Sequence, residues 1–381
     1  MAEFVCRTCG ERFPGESVRW RCDCGGLLDL DFTPALPVDK IASRAPTLWR
    51  YREALPIPAG AELSLGEGFT PLLPVEIGGR EVLVKQEQLF PTGSYKDRGA
   101  TVMIAMATHL GITDVVEDSS GNAGCAVAAY CAKAGVHCRI FVPADNSPGK
   151  LGQIELYGAD LVPVPGSRED TAAACMDAAQ DTFYASHVYN PYFFHGTKTF
   201  AYEVVEQLGW KAPDTVVLPA GNGTLLIGAH LGFSELLQLG VIQSMPRLIA
   251  VQAAGCAPLA TAFSSGAKYA LDVSTSPTLA EGIAIAKPER GEQMLAAVRS
   301  TGGDFLTVNE EEILAAFRSM GRQGYCIEPT SAAIIAGAAR HAAESAADEV
   351  IVTAFTGHGL KAGDKLHKLA AGLAAGKGTR P

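Results

Sequence analysis

The 381-residue sequence is 48% hydrophobic and 19% charged, which excludes a disordered chain and leaves room for two or three domains with a large core. Its net charge of −10 excludes a nucleic-acid binder that works through its overall field. No signal peptide and no run of about 18 apolar residues appears, so a soluble, cytoplasmic protein without nucleic-acid or membrane partners is expected. Taken in order, residues 1–34 read as a separate Cys-rich, zinc-ribbon-like module. Cys6 and Cys9 form one pair, and Cys22 and Cys24 a second, in a segment too short to build its own core. Four thiolates on one Zn²⁺ would supply folding energy that burial cannot. The second pair is C-x-C, one residue short of the usual C-x-x-C, so a metal-free ribbon remnant is the alternative. The other six cysteines are scattered among apolar segments and read as reduced core residues. Residues 35–62 carry Pro37, Pro46, Pro56 and Pro58 and are expected to lie extended over the surface.

From residue 63 onward, apolar strands alternate with small-residue helices. Strands are predicted at 82–87, 114–117, 136–142, 160–164, 214–219, 247–252 and 349–355. Helices are predicted at 97–110, 121–134, 168–182, 198–209, 225–239, 309–323 and 330–343. That rhythm predicts a doubly wound α/β architecture.

Four of the strand-to-helix junctions are rich in glycine and small polar residues. The first is Pro91-Thr92-Gly93-Ser94-Tyr95-Lys96-Asp97-Arg98-Gly99, the second Ser119-Ser120-Gly121-Asn122-Ala123-Gly124. The third is Ala220-Gly221-Asn222-Gly223-Thr224, and the fourth Thr356-Gly357-His358-Gly359. Such junctions hold anions, because glycines let a ligand approach the backbone and a helix start offers free N–H donors. A partly desolvated lysine at one of them forms a Schiff base readily. Four such loops, one bearing Lys96, call for a cofactor with both a phosphate and an aldehyde, which pyridoxal phosphate satisfies.

On these residues the chain resembles the threonine synthase branch of the fold type II pyridoxal-phosphate enzymes, relatives of tryptophan synthase β and the serine/threonine dehydratases. Further markers are Leu48-Trp49-Arg50-Tyr51-Arg52, Leu65-Gly66-Glu67-Gly68-Phe69-Thr70-Pro71 and Glu328-Pro329-Thr330-Ser331-Ala332-Ala333. The resemblance implies two doubly wound α/β domains with the cofactor in the cleft. Residues 63–100 and 196–381 would form the large cofactor-binding domain and 101–195 a smaller mobile one. A homodimer acting on a small amino-acid substrate is expected.

The resemblance also assigns roles. Lys96 would hold the cofactor aldehyde and then act as acid and base. Gly221, Asn222, Gly223 and Thr224 would bind its phosphate, Asn122 its 3′ oxygen, and Thr356 would face the pyridine nitrogen. A neutral hydroxyl there suits elimination and replacement at Cβ or Cγ over transamination. Ser119 and Ser120 would grip the substrate carboxylate, with helix capping as the alternative for either. Glu328 resembles a glutamate near the cofactor, or is a cap. Lys150 and Lys198 are candidate substrate-binding cations, with Arg168 and His195 in reserve; Lys150 and Arg168 also read as solvated helix charges. Asn190-Pro191-Tyr192-Phe193-Phe194-His195-Gly196-Thr197-Lys198-Thr199 departs from the family at Phe193, where an arginine is usual. The reaction implied is conversion of O-phospho-L-homoserine and water to L-threonine and phosphate. The alternatives are β-replacement or β-elimination on a phosphoserine- or serine-like substrate, as in cysteate synthase or a dehydratase, and a non-catalytic cofactor-binding paralogue.

Overall fold

The computed structural model describes residues 2–144 and 148–363 together with 366, 367 and 369, and for 148–150 the backbone alone. The chain divides into two compact units. One comprises the chain through Phe69, Phe90–Glu203 and Gly228–Ile242; the other comprises Thr70–Leu89, Val204–Ile227 and the chain from Gln243 onward.

The first unit is built on a parallel sheet with the strand order Asp160–Val164, His137–Pro143, Asp114–Glu117, Phe183–Tyr184. Val115, Val116, Ile140 and Val142 are buried, as expected of strands covered by helices. The helix Asn122–Ala134 is nearly all small residues, so it packs closely, and it ends on Gly135 at φ +70° in a left-handed C-cap. Val102, Met103 and Ile104 of the helix Lys96–His109 join Val127 and Tyr130 in the core.

The N-terminal module belongs to this unit. Strand Glu3–Cys6 pairs antiparallel with both Arg12–Pro14 and Leu28–Asp31. Phe4 packs edge-on against Tyr192 at 5.9 Å, and the Tyr192 hydroxyl donates to Gly15 O at 3.1 Å. Trp20 packs edge-on against Tyr184 and Tyr189. The Pro-rich lead-in is not simply extended. Leu48–Ala54 forms a 3₁₀ helix with Leu48, Tyr51 and Ala54 buried, and Pro46 and Pro56 flank this segment rather than interrupt it. The buried carboxylate of Glu67 ties this run down, accepting from Trp49 Nε1 at 3.0 Å and Tyr130 OH at 2.9 Å.

Helices Lys96–His109 and Pro191–Thr197 cross at two glycines. A Cβ on Gly196 would lie 1.9 Å from Arg98 O, and one on Gly99 would lie 2.3 Å from the Phe193 ring. Any larger side chain would drive the two backbones apart.

The second unit carries a sheet in the order Asp304–Val308, Arg247–Ala253, Thr215–Pro219, Ile351–Ala354, Arg80–Lys85, Leu72–Ile77. All neighbours are parallel except the last two, which form a hairpin through Gly78 and Gly79, both at positive φ. Val217, Ile249 and Val251 pack with Ile334, Ile335 and Phe317 of helices Pro329–Glu344 and Glu310–Arg322. Asn309 starts the latter helix in a reciprocal capping box with Glu312. The α/β class expected from the sequence is the class found. Each predicted strand is present, displaced by at most two residues at either end, and Leu72–Ile77, Phe183–Tyr184 and Asp304–Val308 are additions. Among the described residues no helix is long and apolar enough to cross a membrane.

The helix crossing gives a direct test. Gly196→Ala is expected to destabilise the protein by about 1–3 kcal/mol or more through overpacking against backbone. Gly152→Ala, in helix Pro148–Leu156 with nothing within 4 Å of its Cβ, is expected to be neutral or stabilising by up to about 1 kcal/mol. Chemical denaturation of both variants checks the contrast, and equal stabilities would refute the close crossing.

Candidate active site

Lys96 is the first residue of its helix, and the loop before it is locked from within. The Asp97 carboxylate accepts from Thr92 N at 2.9 Å and from the Thr92 hydroxyl, while Gly93 takes φ +81°. Gln153 donates to Thr92 O at 3.1 Å. The next residue, Arg98, is fully buried and forms a two-pronged pair with Glu203 at 2.6 and 2.7 Å. It also donates to Thr199 Oγ1 at 2.9 Å. A lysine on such a base has its backbone fixed. Its Nζ stands 4.9 Å from the Tyr95 ring centre and 5.6 Å from that of Phe193, within cation–π range. Phe193 is fully buried, so the position where an arginine was expected presents an aromatic wall beside the lysine.

The second loop leaves strand Asp114–Glu117 in the same unit. Ser119 is buried, and its Oγ accepts from Gly121 N at 3.3 Å, turning the chain into the helix begun by Asn122. Gly121 is the N-cap, and no side chain caps that helix. Ser120 and Asn122 are half-buried. A Cβ on Gly124 would strike Ser119 O at 1.8 Å, so this turn requires glycine there. Just before it, Glu117 Oε1 meets His187 Nδ1 at 2.8 Å, and both residues are buried. This pair escaped the sequence reading, because its members lie 70 positions apart and neither sits in a recognisable motif.

In the second unit, strand Thr215–Pro219 delivers Gly221–Thr224 to the start of helix Thr224–Gln238. Gly223 has φ +75°, and a Cβ there would fall 2.1 Å from Met294 Sδ. A Cβ on Gly221 would lie 2.9 Å from Ile283 Cα. These glycines form a backbone cradle that a side chain would fill. Strand Ile351–Ala354 delivers Thr356, which is buried with its hydroxyl 3.0 Å from Ser331 Oγ. Ser331 Oγ also accepts from Gly357 N at 3.2 Å, so it orients the fourth loop. Ser331 had been read only as part of a marker segment. Glu328 is buried, and its N–H donates to Gly357 O at 2.9 Å; its side chain does not cap the following helix.

The candidate substrate cations are placed differently. Lys150 lies in helix Pro148–Leu156, with its side chain outside the described residues. Arg168 is exposed at the start of helix Arg168–Ala178. Lys198 is fully buried, and its Nζ donates to Glu235 Oε1 at 2.8 Å and to His195 Nδ1 at 2.9 Å. The Tyr202 hydroxyl donates to the other Glu235 oxygen. Burial lowers the Lys198 pKa and Glu235 opposes that shift; burial and the Lys198 charge hold His195 well below its ordinary value. Lys198 is therefore committed to a buried network rather than presented to solvent.

The four N-terminal sulfurs all lie within 4.8 Å of one another, with Cys6 to Cys24 at 3.5 Å and Cys9 to Cys22 at 3.6 Å. Four ligands at about 2.3 Å from a tetrahedral zinc stand about 3.8 Å apart, so the set fits a metal despite the short second pair. Burial raises the Cys6 thiol, but donors from Cys9 and Thr8 outweigh it and bring it down to about 6, whereas Cys9, Cys22 and Cys24 are held above their ordinary value, so without a metal the thiolate is favoured at Cys6 alone.

Residues 63–357 match the model of the family described as pyridoxal-phosphate dependent enzyme. The chain is 36% identical to a threonine synthase of Methanocaldococcus jannaschii over 372 residues, covering 93% of this chain and 92% of that protein. It is 35% identical to a threonine synthase of Methanosarcina acetivorans, covering 95% and 92%. Maize serine racemase superposes with a TM-score of 0.68 at 20% identity, covering 81% of this chain and 94% of that one, a likeness of fold alone.

Two measurements probe these placements. Lys198→Met is expected to lower stability by about 3–5 kcal/mol by stranding Glu235, and a compensating Glu235→Leu change should recover part of the loss. A raised KM at unchanged stability would instead make Lys198 a substrate ligand. For the thiol cluster, metal analysis is expected to find about one Zn²⁺ per chain, with a chelator lowering the melting temperature. Metal-free protein with four freely alkylated N-terminal thiols would refute the zinc site.

Proposed function

The chain belongs to the pyridoxal-phosphate dependent enzyme family, and on that premise we propose that it converts O-phospho-L-homoserine and water to L-threonine and phosphate. The observation that carries this reading is the match to threonine synthases over more than nine tenths of both chains. The cofactor suits the residues present: a lysine at the first position of a helix, and a glycine cradle with no room for side chains. When bound, it supplies an aldehyde that takes up an amine and a ring that draws electrons from the bonds at the amino-acid Cα.

In this reading Lys96 would be the residue that holds the cofactor through its aldehyde, and its amine would serve as the acid and base at the substrate Cα. The backbone N–H groups of Gly221–Thr224 bind the cofactor phosphate, reinforced by the helix that starts there. Asn122 would hold the cofactor's 3′ oxygen, and the Thr356 hydroxyl, 3.0 Å from Ser331 Oγ, would face its pyridine nitrogen. Ser119 and Ser120 hold the substrate carboxylate, and Lys150 draws its phosphate. Lys198 supports the segment behind Phe193 rather than gripping substrate. A cytoplasmic homodimer, with residues 101–195 as a mobile smaller domain, completes the proposal.

Buried Phe193 favours a second reading, because an uncharged ring occupies the position from which the family arginine would clamp a phosphate. That reading is β-replacement or β-elimination on a phosphoserine- or serine-like amino acid.

Phosphate release from O-phosphohomoserine and O-phosphoserine, and 2-oxoacid formation from L-serine, separate the two. Turnover is expected on O-phosphohomoserine, and turnover confined to the serine-type substrates would establish the second reading. Lys96→Ala is expected to reduce the rate by at least about a hundredfold and to abolish borohydride labelling by added pyridoxal phosphate. Undiminished labelling would remove Lys96 from the site.

A further inference from the structure

A buried acid–imidazole pair, Glu117 with His187, lies in the same unit as Lys96 and has no part in the roles assigned so far. Glu117 ends the strand that leads into the Ser119 loop, and His187 follows strand Phe183–Tyr184, the neighbour of that strand in the sheet. Their contact is therefore fixed by sheet register rather than by flexible loops. Glu117 is fully buried and His187 nearly so, with Oε1 and Nδ1 2.8 Å apart. Among the described residues, no hydrogen-bond partner reaches the buried Glu117 Oε2. The His187 ring lies 6.0 Å from the ring of Phe193, edge toward face, and Lys96 Nζ lies 5.6 Å from that same ring.

We propose that Glu117 and His187 form a proton-holding dyad for the reaction at Lys96, with Glu117 positioning His187 and His187 acting as a second acid–base group. The inference rests on the assignment of Lys96 as the cofactor lysine. A reaction that removes a hydrogen from Cβ, adds one at Cγ and exchanges one at Cα moves protons at three carbons, where a second acid–base group would have work beside Lys96.

The groups facing the pair decide its charge. Around Glu117 stand Asp118 just past the end of its strand, Cys138 on the adjoining strand, Cys175 of helix Arg168–Ala178, Tyr184 and Lys96; around His187 stand Lys96 and Arg168. Burial pushes the Glu117 carboxyl well above its usual range, with Asp118 adding to the shift and Lys96 opposing it. Burial, then Lys96 and Arg168, hold His187 well below its usual value. Both shifts oppose an ion pair. The dyad is neutral, with the proton on Glu117 directed at Nδ1 and a second proton on Nε2. The unpartnered Oε2 agrees, because a carboxylic acid tolerates an unbonded oxygen better than a carboxylate does.

The transfer balances. Nε2 gives its proton to a developing anion, Nδ1 takes the proton from Glu117, and the glutamate is left as carboxylate. Reversal restores both protons without an added reagent.

The test uses Glu117→Gln and His187→Ala in the full-length protein. Nitrogen-15 NMR of the wild type is expected to show His187 neutral in one tautomer through the region near pH 6.5 where a free histidine titrates, and Glu117→Gln should change that tautomer balance. Glu117→Gln is expected to keep borohydride-fixed cofactor on Lys96 while turnover falls about a hundredfold and one limb of the pH profile disappears. Added imidazole should restore part of the activity of His187→Ala. Ordinary titration of His187, or Glu117→Gln turnover with an unchanged pH profile, would overturn the dyad. Should the variants fail to fold, the wild-type NMR titration decides. Failure of the wild type to take up cofactor would strike at Lys96 and the functional reading instead, a result distinguishable because it appears in the absorbance spectrum before any substrate is added.

Discussion

The first unit depends on how closely the helix begun by Lys96 approaches the helix Pro191–Thr197. Two glycines make that approach possible, and any Cβ at Gly196 would meet backbone rather than a yielding side chain. The same crossing presses the Phe193 ring onto Gly99 and thereby sets the wall beside the lysine. Arg98, between Asp97 and Gly99, is carried into the interior by this geometry and must be satisfied there, which Glu203 and Thr199 do. The lysine loop is thus tied back at Thr92 by Asp97, and the helix after it is anchored by the Arg98–Glu203 pair.

Buried charge is the second theme of this unit. Removing ions from water costs several kcal/mol for each, so an ion pair survives in the interior only with good geometry and further hydrogen bonds. Arg98 with Glu203 and Lys198 with Glu235 meet that condition, each with additional donors. At Glu117 and His187 burial opposes the charge on each partner, which disfavours an ion pair there. The distinction matters for function. A tight ion pair holds its protons in place, whereas a neutral acid–imidazole pair with matched acceptors exchanges them readily.

Much of the framework was legible in the sequence. The buried parallel strands are short Val- and Ile-rich runs, and the loops after them carry glycine where a side chain would collide, as Gly124, Gly221 and Gly223 do. What escaped notice lacked a periodic or compositional signal. Leu72–Ile77 contains Pro74 and alternates with exposed positions, as an edge strand does. Phe183–Tyr184 is two residues long, and Asp304–Val308 opens on an exposed aspartate and is only partly buried in its middle. The lead-in looked extended because its prolines were more conspicuous than the buried Leu48 and Tyr51 between them. Lys198 reads as an available cation in one dimension, because its partner Glu235 is 37 residues away. The short C-x-C pair cast doubt on metal geometry that the folded ribbon removes, since all four sulfurs converge.

In the proposed reaction, phosphate leaves Cγ of the substrate and water adds at Cβ, with Lys96 as the acid and base at Cα. The most direct test is NMR identification of the product formed from O-phospho-L-homoserine in heavy water. The account calls for L-threonine with deuterium at Cα and one deuterium in the methyl group, released together with an equal amount of phosphate. Recovery of unreacted substrate, or of a product lacking the Cβ hydroxyl, would contradict it.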